Sequence, residues 1–267
     1  MAILQTNDIF KTELSEGQHR LSPEEIHKVQ QVVYGITIDI TELCSELNIP
    51  YMLTGGTALG AVRHGGFIPW DDDVDVEMLA TDFPRFQEAV ERVGDPRYVV
   101  QTTANDPEFL FAFGKLRDLN SLVEESNGLD SLLKYRGCYI DVFTIAPSSS
   151  RKLHRLGCKL VGTELKWRVK SPGALRNMLL RPVLHGVVFP VMRAVSRIGA
   201  RGQMRHVMPS FFSAPRQMSE LLPVSEVDFE GYRFLAPADP DGYLRRIYGD
   251  YMRTVSYTHL RAHETDS

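Results

Sequence analysis

The chain has 267 residues, of which 43% are hydrophobic and 24% charged, and a formal net charge of −4. That length and balance fit a soluble globular protein with one sizeable domain or one domain and an elaboration, while the total charge selects no partner. Cys44, Cys138 and Cys158 are an odd number without metal-ligand spacing, which argues against a disulfide framework and for a reduced compartment; no signal peptide opens the chain.

Residues 1–20 are polar and read as loosely ordered. At Ser22-Pro23-Glu24-Glu25 the pattern predicts a helix start, with Pro at the first helical position and Glu25 closing a capping box. Ile26, Val29, Val33, Ile36, Ile40, Leu43 and Leu47 then recur at spacings of three and four, an apolar stripe that Asn48-Ile49-Pro50 stops and that suits packing behind a sheet. A short apolar strand follows at 51–54. It runs into Gly55, Gly56 and Thr57 and a helix-like TALGAVRH; two glycines between strand and helix let backbone approach a ligand such as phosphate closely.

Asp71, Asp72, Asp73 and Asp75 crowd into five positions, and Val74, Val76 and Met78 alternate with Asp73, Asp75 and Glu77. A period of two puts the apolar set on one face of a strand and the acids on the other. Two carboxylates about 4 Å apart repel by roughly 4 kcal/mol at an effective dielectric near 20, so the cluster calls for a counter-charge. Carboxylates with no paired His or Cys nearby favour Mg²⁺ or Mn²⁺ over Zn²⁺, and Mg²⁺ commonly shares its sphere with substrate phosphates, which points to phosphoryl transfer. Asp71 shares the acidic face if the strand begins early, as a further ligand or as a group steadying one. Asp72 is expected to point away, and Trp70 to stack on a ligand ring or, more commonly at a Pro-Trp corner, to pack in the core.

A second amphipathic helix is predicted from Thr81, with Phe83, Phe86, Val90 and Val93 on one side and Gly94-Asp95-Pro96 at its end. Strand signals follow at 97–101, 109–117, 122–124 and 138–145, an α/β plan with a mixed sheet. Lys115 and Arg117 share a strand face and can reach phosphate oxygens; Arg63 and His64 can bind phosphate or cap the C-terminal dipole of their helix.

Residues 151–205 carry thirteen Lys or Arg against one acid, Glu164. Their apolar run at 178–195 is interrupted by Arg181, Pro182, His185, Pro190 and Arg193, and reads as too broken to span a membrane. Basic residues mixed with Leu, Val, Phe and Met suit helices on an anionic membrane surface, each cation adding on the order of 1 kcal/mol; the alternative is a helical cap with a solvated charged face. Nucleic acid is not expected, since no recognisable motif accompanies the charge. A hairpin around Glu230-Gly231 is predicted at 227–235, then a last helix from Asp239-Pro240 with Tyr243, Leu244 and Ile247 before Gly249. Residues 254–267 read as a non-native tail resembling a translated sequencing adaptor, so that native residues are expected to be missing there.

The stretch GGTALGAVRHGGFIPWDDDVDVEM resembles the signature of the LicD family of phosphocholine transferases, which includes the fukutin-related proteins and belongs to the DNA polymerase β-like nucleotidyltransferase superfamily. FGKLRD at 113–118, YIDVFTIAP at 139–147 and YLRRIYGDYM at 243–252 follow in the family's order. The resemblance implies a nucleotidyltransferase-like mixed sheet flanked by helices, here with a basic helical insert. The implied division is a catalytic core at 21–150, the insert at 151–222, and a hairpin and helix at 223–253 completing the core.

It further implies that Asp73, Asp75 and Asp141 hold Mg²⁺ or Mn²⁺ and carry the catalysis, with Gly55, Gly56, Thr57, Arg63, Lys115 and Arg117 binding substrate. The expected reaction is transfer of phosphocholine from CDP-choline to a hydroxyl of a lipopolysaccharide, teichoic acid or capsule type of glycan, in the cytoplasm or at the inner face of the membrane. A nucleotidyltransferase moving NMP from an NTP to a small acceptor and a non-catalytic glycan-assembly module are the alternatives.

Overall fold

The structure is a computed structural model that describes residues 22–123, 130–171, 175–212 and 214–253. The expectations for 1–20 and 254–267 lie outside them.

Helix α1 (Pro23–Glu46) begins with the predicted capping box: the Ser22 hydroxyl accepts from the Glu25 N–H at 3.3 Å, and the Glu25 carboxylate accepts from the Ser22 N–H at 2.8 Å. Its stripe of Val29, Val33, Ile36 and Ile40 is at most 2% exposed, against the sheet core. Each such side chain contributes about 1.5–3 kcal/mol by burial. Strand β1 (Tyr51–Leu53) leads into α2 (Gly55–His64), and β2 (Asp75–Leu79) precedes α3 (Phe83–Val93), which ends on a left-handed Gly94 as the sequence predicts. In α3, Phe86 is buried but Val93, in the last turn, is 62% exposed.

Strand β3 (Tyr98–Gln101) pairs with β4 (Gly114–Asp118), and β5 (Tyr139–Pro147) is the nine-residue spine. The predicted strand at 109–117 begins only at Gly114; Phe109, Phe111 and Phe113 instead pack ring against ring. Of 122–124, Val123 makes a lone bridge and residue 124 lies outside the described residues. The sheet order β1-β2-β5-β4-β3 is mixed: β2 runs parallel to β5 and the other pairs are antiparallel.

Beyond Ser150, α4 (Arg151–Lys170), α5 (Leu175–Val183), a π turn (Leu184–Val188) and α6 (Phe189–Arg197) build the basic helical part. They enclose a second core of Leu110, Val161, Leu165, Phe189, Met192 and Met208. The stretch 151–222 is therefore helical only in its first part. It then returns β6 (Gln203–His206) and β7 (Arg216–Gln217) to the main sheet, β6 against the end of β5, before a short α7 (Met218–Leu221). The expectation of an apolar run too broken to span a membrane is corrected: Leu179–Arg197 is one continuous helical run of 19 residues, long and apolar enough by length and composition to cross a membrane, with 17% of its window buried. A π turn, in which the Phe189 N–H donates to the Leu184 carbonyl, lies between Pro182 and Pro190.

The hairpin β8 (Ser225–Phe229) and β9 (Tyr232–Ala236) turns at Glu230 (φ 52°) and Gly231 (φ 78°), the left-handed pair a two-residue turn requires. Helix α8 (Pro240–Tyr248), capped by Asp239, buries Tyr243 and Leu244 in the main core.

Candidate functional site

The acids gather where β2 and β5 start side by side. Asp75 is in register with Asp141 across the parallel pair, and Lys115 of β4 is opposite Asp141 on the other side. Period-two alternation puts all three on one face of the sheet. Lys115 Nζ lies 2.9 Å from Asp141 Oδ1 and 3.3 Å from the centre of the Tyr139 ring. That contact pairs charge without hydrogen-bond alignment, and Asp141 Oδ1 is buried with no donor aimed at it.

Strand β2 begins only at Asp75, so residues 71–74 are irregular backbone. This corrects the expectation for Asp72. Alternation does not govern a residue outside the strand, and Asp71, Asp72 and Asp73 bring carboxylate oxygens within 4.8 Å of one another. The turn is held by Gln30 of α1, whose amide donates to the Asp71 carbonyl at 2.8 Å. Trp70 is 49% exposed beside the acids rather than packed in the core.

The start of α2 closes the other side. Gly55 has φ 55°, and a Cβ there would stand 2.9 Å from Asp75 Oδ2; one on Gly56 would stand 2.9 Å from Asp71 Oδ2. A side chain at either glycine would displace a carboxylate oxygen of the cluster, and Gly55 also takes a left-handed backbone. The Thr57 hydroxyl accepts from the Asp75 N–H at 2.9 Å, which ties the positive end of α2 to the acids. The Tyr243 hydroxyl of α8 meets the Thr54 hydroxyl and accepts from the Gly55 N–H at 3.1 Å, while burial pushes its pKa up to about 12.

Burial, then repulsion from Asp141, raises the pKa of Asp73, which Lys115 only partly offsets. Asp75 is raised well above the carboxylate range by burial and by Asp73, Asp141 and Asp71 together. With carboxylate oxygens as the donor set, acids that cannot all ionise comfortably and an unaligned buried Asp141 oxygen, these residues fit a hard divalent cation.

One expected phosphate ligand is placed elsewhere. Arg117 is 1% exposed, its Nε donating to Gln101 Oε1 at 2.5 Å and its Nη1 to the Gly137 carbonyl at 2.8 Å, so it builds the core under Tyr139. Arg63 lies in the last turn of α2, on the order of 12 Å along the axis from Gly55. Glu77, the third acid of the alternation, is buried beneath the site between His206 and Arg216. Burial alone would raise its pKa, but Arg216 and His206 hold it low; His206 itself is pushed down to about 4 by burial and Arg216. Its Nε2 lies 2.6 Å from Glu77 Oε1 and its ring stacks on Phe143, centroids 4.5 Å apart. No spacing rule links residues 77, 206 and 216, so sequence reasoning missed this support and that of Gln30 and Tyr243.

Residues 48–129 match the family model described as LicD/FKTN/FKRP, nucleotidyltransferase domain. The lipopolysaccharide cholinephosphotransferase LicD of Haemophilus influenzae is 23% identical over 226 residues, covering 79% of this chain and 85% of that protein. Shorter matches are an uncharacterised protein of Rickettsia typhi, 45% identical over 56 residues (21% of this chain, 18% of that protein), and one of Rickettsia prowazekii, 38% identical over 68 residues (26% of each).

Proposed function

From the premise that the chain carries a LicD-family domain, we propose that it is a transferase moving phosphocholine from CDP-choline to a hydroxyl of a cell-surface glycan. Homology to a lipopolysaccharide cholinephosphotransferase supports the class of reaction. The observation that carries the reading is the register of Asp75 with Asp141 and Lys115 where β2 and β5 start, next to Asp73 and the Gly55-Gly56 turn.

Asp73, Asp75 and Asp141 would hold Mg²⁺ or Mn²⁺, and the carboxylates of Asp71 and Asp72 gather with that of Asp73. Such an ion neutralises the diphosphate and polarises the reacting oxygens. Lys115, held between Asp141 and Tyr139, places a cation where phosphate charge accumulates. The glycines leave room for a phosphate against α2. The acceptor oxygen bonds to the choline phosphorus as the bond to CMP breaks, and the hydroxyl proton leaves to a carboxylate of the cluster or to water.

The test is CMP release from CDP-choline with Mg²⁺ or Mn²⁺ and a lipid-linked glycan fraction, comparing wild type with Asp75→Ala. Metal-dependent CMP formation, reduced about 10³-fold or more in the variant, is expected. Turnover only with NTPs would move the reading to a nucleotidyltransferase, and silence across CDP-alcohols and NTPs to a binding module.

A further inference from the structure

The helical run through α5, the π turn and α6 turns Arg181, His185 and Arg193 inward. Arg181 Nη2 donates to the Thr103 carbonyl at 3.2 Å, His185 Nε2 lies 2.9 Å from Glu164 Oε2, and Arg193 Nη1 donates to the Met208 carbonyl at 2.8 Å. One stripe of its apolar residues faces out: Leu175, Leu179, Val183, Val187, Val191 and Val195 are each between 50% and 64% exposed, while Phe189 and Met192 pack in the second core. Ile198, just past α6, is 75% exposed.

A repeat of four drifts by about 40° per step around a helix of 3.6 residues per turn. The π turn adds a residue without advancing the face and winds the stripe back, which keeps its two halves outward. An exposed apolar stripe of this length marks an interaction face.

The charge around the stripe selects the partner. Exposed Arg197 and Arg201 lie at its end, and the neighbouring α4 exposes Lys152, Arg155, Lys159 and Lys170. A second copy meeting this face symmetrically would bring like charges together. A spanning helix would have to strip Arg181 and Arg193 from their carbonyl partners into hydrocarbon.

We propose that the outer stripe of α5 and α6 lies in the surface of an anionic bilayer, its Leu and Val side chains among the acyl chains and the surrounding Lys and Arg on lipid phosphates. The interaction stands apart from the transfer reaction and is read without donor or metal.

The test is flotation of the full chain with phosphatidylcholine vesicles, with and without phosphatidylglycerol. Wild type is expected to float at least about tenfold more with the anionic vesicles and to be released by salt. The combined Val183→Glu, Val187→Glu and Val191→Glu variant should lose about tenfold or more of that binding with an unchanged circular dichroism spectrum. Should it misfold, Arg197→Glu with Arg201→Glu should weaken binding to anionic vesicles and flatten its salt dependence. Wild type left in solution, or binding unchanged in a folded variant of either kind, overturns the proposal. So does wild type from cell membranes that alkaline carbonate cannot extract, or a dimer in solution that the glutamates abolish without any vesicle binding.

Discussion

Asp75 is the residue on which competing forces converge most closely. Its folded pKa is raised, so the stability it contributes is present at low pH and lost as pH rises through that value. Without bound cation, ionising it is a cost. Asp75→Asn should therefore raise the melting temperature of the metal-free protein, by a few degrees for about 1–2 kcal/mol, while abolishing the rise that Mn²⁺ gives wild type. Thermal denaturation with and without MnCl₂ checks both, and a variant that melts lower than wild type without metal contradicts the argument. The buried histidines act in the opposite sense. Burial holds His206 at about 4 and His154 at about 3, against 6.5 in the unfolded chain. As pH falls below 6.5 the unfolded chain binds protons that the folded protein refuses, so these two groups withdraw up to about 2.7 kcal/mol of stability per pH unit until about pH 4. Urea unfolding from pH 7 to 4 should show the loss, and His154→Gln should reduce its slope by about 1.4 kcal/mol per unit.

At the scale of elements, what was legible in the sequence was local chemistry. The capping box of α1, the glycine that ends α3, the Glu230-Gly231 turn and the Asp239 cap each depend on residues a few positions apart, and all four are in the structure. The acid cluster was legible for the same reason, since alternation within β2 and β5 fixes which face Asp75 and Asp141 share. Reading failed where a distant partner decides. Arg117 satisfies every local criterion for a phosphate ligand, yet Gln101 and the Gly137 carbonyl bury it. Asp72 obeys alternation on paper but sits before the strand begins. The onset of β4 was misplaced because Phe109, Phe111 and Phe113 alternate like a strand while their rings pack on one another and on Phe143 and Phe211.

For the molecule as a whole, the two cores meet next to the chemistry. Leu110 belongs to the core of the helical part, and the adjoining Phe111 stacks on Phe113, whose ring contacts Phe143, two residues from Asp141. A helix laid on a bilayer is thereby tied to the acids through a short run of packed side chains. Composition alone displayed the charge of this part, but not that its apolar side faces outward, because exposure depends on which side Arg181, His185 and Arg193 anchor.

The bond from Tyr243 to the Gly55 N–H joins the last helix to a turn made near the beginning of the chain. During synthesis the glycine turn and the acids of 71–75 leave the ribosome well over a hundred residues before the phenol that holds the turn, so the protein's competence is gated in time. A nascent chain arrested before α8 should carry the acid cluster yet bind Mn²⁺ weakly, and gain its affinity only once residue 243 has emerged. Isothermal titration of a chain ending at residue 238 against the full chain checks this. Equal affinity would mean that the turn holds itself.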